Sequence, residues 1–348
     1  MFLLRPFSLI WYLISTTRNT LYNIGLLDSV AFDLPIICVG NLCAGGSGKT
    51  TITEYLTRLL FKNNQVGVLS RGYMRKTRGY VLANHTSTAE EIGDEPLQIK
   101  KNFPTITVAV CEQRAIGVPT MLCDNPQMNL IIMDDGFQHR SVKPFINILL
   151  TEYHRPFYND YLLPYGRLRE SRNGVRRADA VIITKCPEHA DFDKIKFKVW
   201  EYADESIPIF FSREVYKSPV NFFGNHVIIF PGTTGVTLSG IAHPEHFEKH
   251  CSSLVSIQKN FRFPDHYQFK ESDLKKMNRE FDEMKEKGKI IFTTRKDFMR
   301  LQHPGIINQV ASLPLAIIPV EAEFIQEPDS PINFDNFIFN KLRQWKNE

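Results

Sequence analysis

The segment Gly40–Thr51 reads GNLCAGGSGKTT, opening at the end of an apolar run, PIICVG, and leading into an apolar-periodic stretch, TITEYLTRLLF. Glycines let a backbone curl so that its amides face phosphate oxygens, and the N-terminus of a following helix adds partial positive charge. In that strand-loop-helix context Lys49 is placed to reach β- and γ-phosphates, and the Thr50 hydroxyl to ligate Mg²⁺. Gly45, Gly46, Ser47, Gly48, Lys49, Thr50 and Thr51 are therefore the expected nucleotide-binding residues, with ATP and Mg²⁺ as cofactors. The strict form of the motif has Gly where this chain has Cys43, which leaves Gly40, Gly45, Gly46 and Gly48 to shape the loop.

A second apolar run, LIIMDDGFQHR, ends in Asp134 and Asp135. A carboxylate at the end of a strand beside a phosphate loop binds Mg²⁺ directly or through water, and which of the two touches the metal stays open here. AVIITKCPEH superficially resembles the TKxD guanine reader of GTPases, but Pro187 stands at the acidic position, so guanine selection is not expected. Phosphate binding alone does not separate phosphotransferases, switches and mechanical ATPases. A phosphotransferase also needs a group that takes the proton of the acceptor hydroxyl. GDEP, Gly93–Pro96, offers Asp94 as that base and Glu95 as support for Mg²⁺ or for the loop. The same residues also describe a helix start with an acidic first turn. His266, in FPDHYQF, gains interest if it meets Asp94, because an imidazole can orient a carboxylate and tune its pKa.

Positive charge is dense in SRGYMRKTRGY, with Arg71, Arg75, Lys76 and Arg78, and in YGRLRESRNGVRR, with Arg167, Arg169, Arg172, Arg176 and Arg177. Such clusters can hold an anionic acceptor, steady a migrating phosphoryl group or meet a lipid head-group surface; a solvated basic face is the competing reading.

The elements that must position these residues follow from the apolar rhythm. PIICVG, VGVLS, TITVAV, LIIMDD, INILL and AVIITK alternate with stretches of helical pattern, which predicts an α/β fold with a parallel sheet covered on both faces. HVIIFPG, KIIFTT and LAIIPVE predict a smaller α/β domain, with the boundary near Lys217–Asn225. The expected division is an N-terminal helix over 1–28, a P-loop domain over 29–218 and a smaller domain over 219–348 that closes the active-site cleft. With 348 residues and 43% hydrophobic composition the chain can bury a large core. Its 42 Lys+Arg against 38 Asp+Glu give no global excess of the kind a nucleic-acid binder shows, and no RRM, KH, zinc-finger or helix-turn-helix signature is present. The six scattered cysteines include no CxxC pair, so reduced thiols are expected.

The first residues, MFLLRPFSLIWYLISTTRN, lack a charged start and a small-residue cleavage site, so removal as a signal peptide is not expected. The uncharged run Pro6–Thr17 would cover about 18 Å as a helix, short of the roughly 30 Å hydrocarbon core. It suits a helix lying in the interface, with Leu9, Ile10, Leu13, Ile14 and Leu21 near helical spacing and Trp11 and Tyr12 as interface aromatics. A helix packed on the protein's own core has the same pattern.

Taken together these motifs resemble the tetraacyldisaccharide 4′-kinases, which phosphorylate the 4′-hydroxyl of a lipid A disaccharide 1-phosphate to give lipid IVA. The similarity runs over nearly the whole chain: RPFSLIWYLISTTRNTLYNIGLL, GNLCAGGSGKT, LSRGYMRKTRGY, GDEPLQI, LIIMDDGFQHRSVKPFINILL, RPFYNDYLLPYGRLRES, ADAVIITKCP, FPDHYQF and FTTRKDFMRL. The resemblance implies that Lys49 and Thr50 serve ATP and Mg²⁺, and that Asp94 is the base, paired with His266. It also implies roles for Glu95, Asp134, Asp135, Gln138, His139, Arg114 and Glu170; from the basic clusters, Arg71 and Arg169 are candidate substrate contacts. It further implies a membrane-associated N-terminal helix; a monomer at the cytoplasmic face of the inner membrane is expected. The chain departs from the family pattern at Cys43, Thr51, Cys111 and His243. A membrane-attached nucleotide switch without a lipid acceptor and a soluble small-molecule kinase are the alternatives.

Overall fold

The computed structural model describes residues 4–284, 288–327 and 332–347, so residues 1–3 of the expected N-terminal segment lie outside the described residues. The chain divides into two compact units: Met1–Arg71, Thr105–Glu214 and Ala322–Glu348 form the first, Gly72–Pro104 and Val215–Glu321 the second.

In the first unit, seven strands pair in parallel in the order Ile209–Tyr216, Ala180–Thr184, Ile146–Glu152, Ile36–Asn41, Leu130–Asp134, Val66–Ser70, Thr107–Val110. Ile36–Asn41, Val66–Ser70, Leu130–Asp134 and Ala180–Thr184 are buried along their whole length, as strands covered on both faces must be. Each of the six apolar runs read from the sequence supplies one of these strands. Ile36–Asn41 lies in the middle, with Leu130–Asp134 on one side and Ile146–Glu152 on the other. The strand order reverses there, and in open α/β sheets the carboxyl end of such a strand is where ligands bind.

The second unit is built on four parallel strands in the order Ser256–Arg262, Thr234–Ser239, Lys289–Thr294, Leu315–Ile318. KIIFTT and LAII are strands as expected, but HVIIFPG is not: His226 makes an isolated bridge to Val220, and the strand falls instead on Thr234–Ser239. Val227 and Ile229 pack against the core around Phe247 and Phe292, while Ile228 is 74% and Phe230 68% exposed. The turn Pro231–Gly232 then ends the run, with Gly232 at φ 84.

Boundaries after 28 and after 218 were expected, whereas the chain changes unit at 71/72, 104/105, 214/215 and 321/322. Packing explains both displaced segments. The helix Asp94–Asn102 packs on the helix Arg295–Leu301 and buries Leu97 and Ile99, which draws Gly72–Pro104 into the second unit. The last helix, Phe334–Asn347, buries Phe334, Phe337 and Ile338, and Phe334 meets Phe210 with ring centroids 5.2 Å apart, which returns the chain to the first.

Residues Arg5–Asn23 form one helix with Pro6 in its first turn, where a missing N–H costs nothing. None of its residues is buried. Among the described residues no helix is long and apolar enough to cross a membrane.

Candidate active site

In the first unit the glycine-rich loop is braced from three sides. Gly48 caps the helix Lys49–Leu60 at φ 79, a left-handed conformation that strains any residue with a Cβ. Asn41 Nδ2 donates to Ser47 Oγ at 2.7 Å, Thr184 Oγ1 to the Ser47 carbonyl at 3.0 Å, and Lys185 Nζ to the Gly46 carbonyl at 2.6 Å. Thr184 and Lys185 belong to the ITKCP run whose guanine reading the sequence had set aside; here they act as loop supports. Cys43 sits in an antiparallel bridge with Leu168, and burial pushes its thiol up to about 12, so it is an inert packing group beside the loop.

Lys49 Nζ lies 3.6 Å from Asp135 Oδ1. Asp135 adopts φ 48 just beyond the strand end, and Arg169 Nη1 donates to its two oxygens at 3.0 and 3.2 Å. Burial acts to raise the Asp135 pKa, but Lys49 and Arg169 outweigh it and hold the carboxyl below its ordinary range. Asp134 is buried and accepts from Thr53 Oγ1 at 3.2 Å and Ser70 Oγ at 3.0 Å.

Behind this carboxylate pair runs a polar chain. Arg169 Nη1 reaches Gln138 Oε1 at 3.3 Å, Gln138 Nε2 donates to Glu170 Oε1 at 2.9 Å, and Glu170 also pairs with Arg177 at 2.8 Å and accepts from Asn19 Nδ2 at 2.7 Å. Arg114 is fully buried and donates to the carbonyls of Cys111 and Asp134, the latter at 3.1 Å; burial lowers its pKa to about 10. It therefore fixes the backbone under the acidic pair. His139 is driven down to about 4, by burial first and then by Arg114, so it is neutral. Arg71 adds to that depression from the end of its strand. Of the second basic cluster, only Arg169 touches a carboxylate of the acidic pair; Arg167 pairs with Asp160 at 2.8 Å and Arg172 and Arg176 bond to Asp160 and Tyr202.

Thr50, Asp134 and Asp135 are hard oxygen donors, and among the described residues no group of three His, Cys, Asp or Glu side chains forms a metal cage. That donor set suits Mg²⁺, which keeps several waters and uses one or two carboxylates together with substrate phosphates.

The second unit holds the other cluster. Gly93, at φ 91, precedes Asp94, the first residue of its helix, and a Cβ on Gly93 would lie 3.1 Å from the Tyr73 carbonyl oxygen. Asp94 is 5% exposed. Its Oδ1 accepts from the Glu95 N–H at 3.0 Å; its Oδ2 lies 3.1 Å from His266 Nδ1 and 3.4 Å from Arg300 Nε. Burial acts to raise its pKa, yet the His266 bond, Lys296 and Arg300 together leave it below the ordinary aspartate range. Asp94 is thus a buried, ionised acceptor. Glu95 pairs with Lys296 Nζ at 3.0 Å.

Lys296 and Arg300, which the sequence reading did not single out, complete this cluster. Arg300 is held by the Gly240 carbonyl and by Asp297 at 2.8 Å; Asp297 in turn accepts from Gly240 N–H and from Thr294 Oγ1, which caps the helix. The signal was present in FTTRKDFMRL: Asp297 and Arg300, at helical spacing immediately after an apolar strand, occupy positions where a core side chain belongs.

Known proteins similar to this chain share one description. A family model described as tetraacyldisaccharide-1-P 4′-kinase matches residues 1–338. A tetraacyldisaccharide 4′-kinase of Bacteroides thetaiotaomicron is 38% identical over 95% of this chain and 90% of its own length. That of Flavobacterium psychrophilum is 40% identical over 96% and 95%. The crystal structure of LpxK from Aquifex aeolicus in complex with ATP matches at a TM-score of 0.74 and 28% identity, covering 97% of this chain and 98% of that one.

Proposed function

Since the chain belongs to the tetraacyldisaccharide 4′-kinase family, we propose that its two clusters divide the work of an ATP-dependent lipid A 4′-kinase, the first unit holding the phosphoryl donor and the second supplying the base. The enzyme transfers the γ-phosphate of ATP to the 4′-hydroxyl of a tetraacyldisaccharide 1-phosphate. In the first unit the loop amides from Gly45 to Gly48, Lys49 and Thr51 cradle the phosphates, and Thr50 with Asp134 and Asp135 holds Mg²⁺. When bound, the metal neutralises charge on the phosphate oxygens. Arg169 joins Lys49 in countering the charge of the migrating phosphoryl group. In the second unit Asp94 Oδ1 takes the hydroxyl proton as the acceptor oxygen bonds to phosphorus and ADP departs with the electrons of the broken P–O bond. The observation that carries the base assignment is the Asp94–His266 contact at 3.1 Å in a buried setting.

The N-terminal helix is a membrane contact on the cytoplasmic face of the inner membrane, and the enzyme works there as a monomer. Phe7, Leu9, Ile10, Leu13 and Ile14 are 55% to 61% exposed, while Ser8, Trp11, Arg18 and Asn19 bond to the first unit. A helix that turns polar groups inward and apolar ones outward supports interfacial seating.

The test is phosphate transfer from γ-labelled ATP to detergent-dispersed tetraacyldisaccharide 1-phosphate by wild type, Lys49→Ala and Asp94→Ala. A bis-phosphorylated lipid from wild type alone is expected; ATP turnover without lipid product would point to a nucleotide switch.

A further inference from the structure

His266 stands between two groups whose hydrogen-bonding roles are fixed by their chemistry. On one side, Asp94 Oδ2 is 3.1 Å from Nδ1. An ionised carboxylate can only accept, so Nδ1 must carry the proton. On the other side, Lys296 Nζ is 3.4 Å from Nε2. An ammonium can only donate, so Nε2 must present its lone pair. We propose that Lys296 is a positioning residue that locks His266 as the neutral Nδ1–H tautomer, so that His266 orients Asp94 and does not compete with it for the acceptor's proton.

The surroundings support this assignment. Glu95 anchors the ammonium at 3.0 Å, which sets its distance from the imidazole. Asp265 Oδ2, at 3.9 Å from Nε2, is too far to accept a hydrogen bond from it. His266 itself is held at φ 58, with its own N–H donating to the Gly240 carbonyl at 3.1 Å, and the Tyr73 ring meets the imidazole edge-on at 5.2 Å. Both ring nitrogens are thereby engaged, and Asp94 Oδ2 faces the imidazole at 3.1 Å with the Arg300 guanidinium as an ion-pair partner at 3.4 Å. Oδ1 accepts from the Glu95 N–H and keeps a second lone pair for the substrate hydroxyl. Without Lys296, Nε2 loses its donor, the ring can change tautomer, and the carboxylate loses the arrangement that aims Oδ1.

This inference rests on Asp94 being the base, and two readouts separate the two. The ¹⁵N spectrum of histidine-labelled full-length protein, with the His266 signals identified by comparison with His266→Gln, reports the tautomer without turnover. Wild type is expected to show protonated Nδ1 and unprotonated Nε2. Lys296→Met is expected to lose that pattern and to lower kcat at least about tenfold, with KM for ATP within about twofold because the lost effect belongs to the transition state. Lys296→Arg, which keeps a donor, should restore part of the rate. A protonated Nε2 in wild type, or wild-type kcat in Lys296→Met, would overturn the role of Lys296 whatever Asp94 does. Wild-type activity in Asp94→Asn would instead overturn the base assignment while leaving the tautomer measurement standing.

Discussion

Trp11 donates its indole N–H to the backbone carbonyl of Arg169 at 2.9 Å, so a residue of the outward-facing N-terminal helix is fastened to the arginine whose guanidinium grips Asp135. Arg18 and Asn19 repeat the connection two turns on, at the Gln138 carbonyl and the Glu170 carboxylate. A single such bond contributes about 1 kcal/mol net. Trp11→Phe, which deletes the donor and keeps an apolar ring, should therefore lower kcat/KM for ATP by up to about fivefold with vesicle binding unchanged. Weaker vesicle binding at unaltered kcat/KM would make Trp11 an anchor alone.

Lys49→Ala removes the cation that the proposed function assigns to the transferred phosphate. The expected loss is roughly 10² to 10³ in kcat, the cost of deleting one preorganised donor at developing charge. Asp135→Asn frees Lys49 and Arg169 from their shared carboxylate and should impair both Mg²⁺ dependence and rate. A Mg²⁺ titration curve identical to wild type would exclude Asp135 from the metal site.

The half-buried His139 sets a pH signature on stability. Its pKa falls from 6.5 unfolded to about 4 folded, so between those values the unfolded chain binds a proton that the folded chain does not. Stability therefore declines as pH drops from 6.5 towards 4, by about 3 kcal/mol in total at 1.36 kcal/mol per unit. His139→Gln should flatten this slope in urea titrations across that window.

Asp94 behaves in the opposite direction from a buried acid without partners. Its folded pKa is depressed, so its contribution is present above the ordinary value of 3.8 and disappears only as pH falls further, through the folded pKa. The stability difference between wild type and Asp94→Asn should be level from neutral pH down to about 4 and shrink below it. A difference already shrinking near pH 6 would mean that the carboxyl is not held ionised.

Gly93→Ala tests the backbone that presents the proposed base. At φ 91, with the Tyr73 carbonyl oxygen 3.1 Å from the added Cβ, the substitution should cost about 1 to 3 kcal/mol and displace Asp94. Thermal melting and kcat should fall together; a drop in melting temperature with normal kcat would separate the turn from catalysis.

The phosphate loop was legible because its chemistry is local: glycines, lysine and threonine are consecutive, and the strand before them is apolar throughout. The acidic pair was legible for the same reason. The meeting of Asp94 with His266 came from family resemblance, since 172 positions separate them and spacing carries no trace of the contact. Lys296 and Arg300 were missed because a charged residue in a short helix reads as solvated until burial is known. HVIIFPG misled because alternate residues of a loop resting on a core, Val227 and Ile229, imitate the period of a strand.

The four changes of unit along the chain bear on how this protein can be cut. A fragment ending near residue 214 looks like a self-contained nucleotide-binding domain, but it carries Gly72–Pro104, whose Leu97 and Ile99 are buried among residues of the second unit. It would contain Asp94 stripped of His266, Lys296 and Arg300, a carboxylate on a helix with its apolar face bare. The complementary fragment would hold the three basic partners without their carboxylate. Neither half is a module that shuffling or truncation could have handed on alone, so the acceptor chemistry and the nucleotide loop must be inherited, expressed and lost together.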